Sequence, residues 1–256
     1  MMKHIVKKSW RPLLVLLLLF ILWEIAVNFF EVPKWLLPAP TLIFTEAWNG
    51  WANFQPHVLS TVQITVLGFA IGASIGILTA IILHLIPFIR ESIYPLLILS
   101  QNVPIIVLAP LLVIWFGFGL LPKMIVITLV CFFPITIAAL DGFRQTSPEL
   151  KHYMRMAGAS NLQLFWKVEL PYSLPSIFSG MKISATYSVM GAVISEWLGA
   201  QRGIGVYMTL ASSSFRTDRV FVAIFTIMII SLLFFAIIIL LEKWFVSWKG
   251  KGGGER

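Results

Sequence analysis

Long apolar stretches separated by short polar segments dominate the chain. A hydrocarbon layer of roughly 30 Å takes about 20 mostly apolar residues in a helix. By that measure six spans are predicted, at about 12–30, 58–85, 93–116, 122–140, 176–198 and 220–241. The pattern predicts an all-α membrane protein with one transmembrane domain over 1–256. The longest polar interruption, Asp141 to Pro175, falls between the fourth and fifth spans.

Inside the spans the pattern has further detail. Gly68, Gly72 and Gly76 recur every four residues, so the second span presents a face of small residues for close helix approach. The third carries Gln101, Asn102, Pro104 and Pro110, followed by Trp115-Phe116-Gly117-Phe118-Gly119. Prolines at membrane depth free backbone groups that need protein or water as partners. Such a helix either lines a pathway or is a kinked structural element satisfied by its neighbours. The first stretch, preceded by Lys3, Lys7, Lys8 and Arg11, has a signal peptide's layout but no small-x-small cleavage site, and reads as an uncleaved helix.

The polar segment has its own punctuation. Ser147-Pro148-Glu149 starts a helix: a serine cap, a proline in the first turn, and an acid at the positive end of the dipole. That helix is expected to run to about Ala157 and to end at a left-handed Gly158. Ser160-Asn161-Leu162-Gln163 fits a capping box for a second short helix, which Leu170-Pro171 would close. Two capped helices hinged at a glycine would make a rigid projection; a plain solvated loop is the alternative.

Composition agrees with the pattern. The chain is 59% hydrophobic and 12% charged, against about 25% charged in a soluble domain. Its net charge of +8 points to topology and contact with anionic membrane lipid more than to nucleic-acid binding. With the N-terminus inside, fourteen of the nineteen basic residues fall on the cytoplasmic side, which predicts both termini there. The lone Cys131 sits in an apolar run and reads as an inert buried thiol.

Candidate chemistry is sparse. Glu24 and Glu196 are the main ionisable residues within spans, with His84, Lys123 and Lys182 near helix ends. No chain of acids and histidines suits a proton relay, and no inverted repeat points to a secondary carrier. No His-Glu-x-x-His, Gly-x-Ser-x-Gly or acid cluster predicts an enzyme or a metal site. Glu24 beside Trp23 reads as a packing or oligomer contact, whereas Glu196 either faces a water-filled path or polar partner helix or is an interfacial carboxylate. The candidate pathway residues are therefore Gln101, Asn102, Pro104 and Glu196. A passive channel agrees with the composition but leaves the capped projection unexplained.

Gly158, nine residues, then Val168-Glu169-Leu170-Pro171 resembles the EAA loop of bacterial ATP-binding-cassette importer permeases. The departure is in the name-giving triplet, which falls on His152-Tyr153-Met154 and lacks the usual glutamate. Leu37-Pro38-Ala39-Pro40, Ala109-Pro110-Leu111, Trp115-Phe116-Gly117-Phe118-Gly119, and Glu196 followed by Gly199, Gly203, Ile204 and Gly205 are similar to the nitrate, sulfonate and taurine branch.

The resemblance implies that the loop carries coupling helices seated in a groove of a cytoplasmic ATPase. It implies a second permease copy, forming a homodimer, and an extracytoplasmic solute-binding protein. The implied docking residues are His152, Tyr153, Arg155, Met156, Ala157, Gly158, Ala159 and Ser160, with Leu170 and Pro171 closing the motif. Tyr153 and Met156 would be apolar anchors on one helical face and Arg155 the pairing charge. The chain has no phosphate loop, its only Gly-Lys pair being Gly250-Lys251, so ATP and Mg would be used by the partner ATPase and this chain would bind no cofactor. The resemblance leans toward importers of pyrimidine precursors of thiamine such as formylaminopyrimidine, with aliphatic sulfonates, taurine and nitrate as the alternative. It places the protein in the bacterial cytoplasmic membrane.

Overall fold

The computed structural model describes residues 2–246, with side chains from residue 10 onward. The basic side chains of Lys3, Lys7 and Lys8, and all of Lys249, Gly250, Lys251 and Arg256, lie outside the described residues. The elements are all helical: α1 (Met2–Phe29), α2 (Pro40–Asn49), α3 (Trp51–Leu85), α4 (Pro87–Ser100), α5 (Ile105–Phe116), α6 (Leu120–Arg144), α7 (Pro148–Met156), α8 (Asn161–Leu164), α9 (Leu170–Glu196), α10 (Ile204–Ser213) and α11 (Thr217–Phe245). A single π-helical turn, Phe165–Glu169, joins α8 to α9.

Among the described residues five helical segments are long and apolar enough to cross a membrane, and α4 with α5, bent by 100°, passes the same test as a pair, for up to six crossings. The predicted third span over 93–116 is thus two helices, the first beginning at Pro87. Helix directions show why the bent pair must cross. α3 and α6 lie parallel, with Gly68 against Ile127, Gly72 against Cys131 and Thr128, and Gly76 against Phe132 and Thr136. Two parallel neighbours need a connection that travels back the length of the bundle, and α4–α5 supplies it. Pro104 ends the first half, because it brings no N–H and its ring keeps Val103 out of the helical region. Val103 and Pro104 then carry the chain into α5.

The glycine face behaves as its spacing predicts. A Cβ on Gly72 would come to 2.7 Å from that of Cys131, too near for two carbons, so the two backbones meet at a distance only glycine permits. α9 runs antiparallel to α6, its Gly180 against the Pro134 carbonyl and Ala138, and its Gly191 against Val130. The core between α3, α6 and α9 is built on Ile127, Cys131, Ile135, Ala185 and Ala192. The Cys131 thiol is buried there and donates to the Ser184 carbonyl, a packing role.

At the periphery, Trp23 near the end of α1 packs on Phe221 and Phe225 at the start of α11, while Phe178 near the start of α9 meets Phe245 at the end of α11. The starting end of α1 and the finishing end of α11 therefore lie at the same end of the bundle as α7 and α8.

Two short helices without a membrane-length apolar signal, α2 and α10, close the opposite end. Glu24 reaches from α1 to cap α2, accepting from the Thr41 N–H at 3.0 Å and from its hydroxyl at 2.8 Å. Glu46 of α2 is paired with Arg216 and Arg219, which ties α2 to the head of α11.

Candidate functional site

The polar segment folds into the two capped helices its punctuation predicts. Ser147 caps α7 by accepting from the Leu150 N–H at 3.3 Å. Its hydroxyl, together with the Glu149 backbone, holds the Glu149 carboxyl below the usual carboxylate range. Gly158 stands at φ +81, with the Gly158 N–H donating to the Arg155 carbonyl and the Ala159 N–H to that of Met154, which closes α7. Ser160 and Gln163 form a reciprocal capping box at the start of α8.

The far side of the segment differs from expectation. Leu170-Pro171 does not end the second helix: α8 passes through the π turn into α9, with Pro171 in the first turn of α9. The physical reason lies in the ring, which would press on the carbonyl four residues back in a regular helix. The widened turn, in which the Leu170 N–H bonds to the Phe165 carbonyl, relieves that contact without ending the helix. Leu170 packs against the core cluster of Phe143, Phe165 and Ile177, and both Leu170 and Pro171 are half-buried.

The other motif residues lie outward. His152, Tyr153, Arg155, Met156, Ala157, Gly158 and Ser160 are exposed, and Ala159 is half-buried. Tyr153 and Met156 are 68% and 73% exposed at the tip of the molecule. Leu162 and Trp166, which sequence reasoning missed, add two more exposed apolar side chains on the neighbouring turns. Their signal was the apolar residue within and just after the capping box.

Beneath this surface lies a second group that sequence reasoning did not assemble. Glu169, 6% exposed, takes Lys151 Nζ of α7 on one oxygen and His84 Nε2 of α3 on the other, both at 2.7 Å. Lys151 also donates to the Phe143 carbonyl, in the last turns of α6, at 3.4 Å.

The pathway candidates separate. Gln101, Asn102 and Pro104 sit together on the exposed bend between α4 and α5, where Asn102 Nδ2 donates to the Ile98 carbonyl. Glu196 does not join them. It is 1% exposed, accepting from the Thr61 hydroxyl at 2.7 Å and from the Gly205 N–H at 2.8 Å. Thr61 in turn accepts from the Ile204 N–H at 2.8 Å, and His57 Nδ1 lies within hydrogen-bond reach of Gly203. Glu196 is thus the post of a latch that ties α3, α9 and the start of α10. Beside the latch opens a cavity of about 560 Å³ lined by Gln63, Phe118, Lys123, Gln201 and Arg202 among others. Among the described residues no group of His, Cys, Asp and Glu could hold a metal ion.

A multi-pass helical bundle with a broken crossing and an exposed pair of capped helices at one end has the architecture of a membrane transport subunit. The chain belongs to the family of binding-protein-dependent transport system inner membrane components, which it matches over residues 72–247. It is accordingly the permease component of an ATP-binding-cassette importer, a transport subunit rather than an enzyme. It is 34% identical, over 96% of its length and 99% of the relative's, to the formylaminopyrimidine transport permease protein ThiX of Halalkalibacterium halodurans. It is 28% identical, over 95% and 89%, to a putative aliphatic sulfonates transport permease protein SsuC of Bacillus subtilis. In fold it resembles the crystal structure of an amino acid ABC transporter with histidines, at TM-score 0.62 and 15% identity, covering 76% of this chain and 96% of that one.

Proposed function

We propose that α7 and α8 dock a cytoplasmic ATPase, which uses ATP and Mg, and that this chain carries a small polar solute, delivered by an extracytoplasmic binding protein, across the cytoplasmic membrane. The observation that carries the docking reading is the exposure of Tyr153 and Met156 on a helix capped at both ends. Two large apolar side chains held rigidly at the tip lose water only against a partner. His152 and Tyr153 stand where the usual glutamate and its neighbour would be, so the contact is apolar packing supplemented by Arg155. Both termini are then cytoplasmic, since the start of α1 and the finish of α11 share the α7 end.

The bend at Gln101–Pro104 supports a pathway between two copies. Exposed irregular backbone within a membrane crossing needs protein or water against it, and a second copy facing a shared aqueous path supplies both. Glu196 stands apart from that bend, buried within the latch. The solute we propose is a pyrimidine precursor of thiamine such as formylaminopyrimidine, a reading that rests on likeness along nearly the whole chain. One observation favours an organic sulfonate instead. Lys123 and Arg202 line the cavity beside the latch, and neither forms a salt bridge among the described residues.

The docking reading is tested by co-purification. Met156→Glu with Arg155→Glu should leave insertion intact and remove the ATPase from the complex; retention of the ATPase would sink it. For the solute, ATP hydrolysis by the reconstituted complex is measured with binding protein loaded with formylaminopyrimidine, taurine or an alkanesulfonate. Stimulation by the sulfonates alone would overturn the pyrimidine reading.

A further inference from the structure

None of the residues of α7 is fully buried, and Met154 is its one half-buried apolar side chain, so apolar packing holds this helix to the bundle only weakly. The main hold is polar and concentrated at one point. Lys151, the only cation of α7 that forms a salt bridge among the described residues, meets Glu169 at 2.7 Å. The other oxygen of Glu169 is taken by His84, the residue before the last of α3. The His84 ring lies against Phe143 and Phe165, with centroids 4.9 and 5.8 Å away, so it packs on the core while keeping 14% of its side chain exposed. Glu169 is the last residue of the π turn and leads directly into α9. One carboxylate therefore touches α7, the end of α3 and the head of α9, while Lys151 adds the end of α6 through the Phe143 carbonyl.

A cavity of about 300 Å³ adjoins this carboxylate, lined by His84, Lys151, Arg155, Asn161, Leu164 and Glu169 among others. On that side α7 has room to move without compressing side chains, so a push on the helix toward the cavity is passed on mainly by its polar contacts. It passes through the ion pair, which persists as α7 shifts because a buried carboxylate that loses a cationic partner is left uncompensated in a poor solvent for charge. The π turn supports the same reading. Its widened ring is a break in the regular ladder of bonds placed where α8 hands over to α9, and such turns occur frequently at functional sites.

We propose that Glu169 is the positioning residue through which a displacement of α7 reaches the membrane helices, with Lys151 as its contact on α7 and His84 as its contact on α3. The proposal rests on the reading of α7 and α8 as the ATPase-docking pair. Glu169 touches neither ATP nor solute and acts by keeping α7 and α9 in step.

The test uses the full complex of permease, ATPase and binding protein in liposomes, with solute uptake and ATP hydrolysis measured together. Glu169→Gln and Lys151→Met should each assemble with the ATPase and hydrolyse ATP at no less than about half the unmodified rate. Solute moved per ATP should fall at least tenfold, whereas Lys151→Arg keeps the unmodified ratio. A structural role alone would lower assembly and leave that ratio unchanged. An unchanged ratio in Lys151→Met overturns the proposal, as does loss of ATPase association in both variants. Retention of the ATPase by Met156→Glu with Arg155→Glu overturns the docking reading, and the joint with it.

Discussion

Glu169 and Glu196 stand at the two ends of α9 and are buried to a similar degree, yet their surroundings are opposite in kind. Glu196 accepts from a hydroxyl and a backbone N–H, with no cation in hydrogen-bond contact. The glycines around it are packed to the limit: a Cβ on Gly203 would overlap its carboxylate, and one on Gly205 would come to 2.5 Å from the Val193 carbonyl. Glu169 is held between a lysine and a histidine and has a cavity beside it. Neutral donors fix a group by short directional bonds that fail when a neighbour shifts. An ion pair tolerates small shifts and keeps its attraction. The latch end is therefore the part of α9 expected to stay in place, and the joint end is the part to which the proposed docking helix is attached.

The comparison breaks most readily at Gly203. Gly203→Ala adds a Cβ inside the Glu196 carboxylate and forces a side chain onto φ +142. The expected loss is at least about 3 kcal/mol, from overpacking and backbone strain together. It should appear as a collapse in the yield of monodisperse protein and in its apparent melting temperature in detergent. An unchanged melting temperature would mean that α10 is not locked to α9 through this contact. Thr61→Val comes next. It removes the donor to Glu196 and the acceptor for the Ile204 N–H at once, leaving two buried groups unpaired at about 1–3 kcal/mol each, softened by local relaxation. Thr61→Ser keeps both bonds and should melt within about 1 kcal/mol of the unmodified protein. If valine and serine behaved alike, the hydroxyl would not be part of the latch.

The two ends also differ in how far the sequence discloses them. The crossings, the glycine face of α3 and the caps at Ser147 and Ser160 were legible because each depends on residues within a turn or two of one another. The latch and the joint were not. Thr61 and Glu196 are 135 residues apart, and His84 and Glu169 are 85 apart. Only the packing of α3 on α9 brings either pair together. Glu196 was therefore read as a pathway or interfacial acid, although its partners lie on two other helices. The turn at Leu170-Pro171 misled for a different reason. Proline's local rule is to stop a helix, and here tertiary contacts to Glu169 and Leu170 keep the chain helical through a π turn. The 100° bend was foreshadowed by Pro104 and Pro110, but its size depends on α3 and α6 lying parallel.

At the α7 end the same kind of change should cost stability little and function much. Gly158→Ala meets no neighbour within 4 Å, so its cost is the left-handed backbone alone, about 1–2 kcal/mol. That cost falls on the closing turn of α7, whose residues are all unburied, and is expected to fray it without moving the global melting temperature by more than a degree or two. ATPase affinity should fall severalfold, and Gly158→Asn, which accepts the left-handed region, should restore most of it. A large drop in melting temperature would show that α7 is integral to the bundle, contrary to its lack of buried residues.

The smallest stability effect is expected at Tyr153, and it tests the comparison most finely. With 68% of its surface exposed, the tyrosine leaves no cavity when replaced by serine, and the change should stay within about 0.5 kcal/mol of the unmodified protein in melting experiments. Helix propensity does not complicate the result, since serine and tyrosine rank together within a helix. If Tyr153 is an anchor in the ATPase groove, Tyr153→Ser should nonetheless weaken association by about 2 kcal/mol, some thirtyfold, the scale typical of a buried aromatic at the centre of an interface. The two measurements move together only if the residue supports the permease itself. Their separation at Tyr153, set against their coincidence at Gly203, is what a firm latch at one end of α9 and a mobile docking helix at the other require.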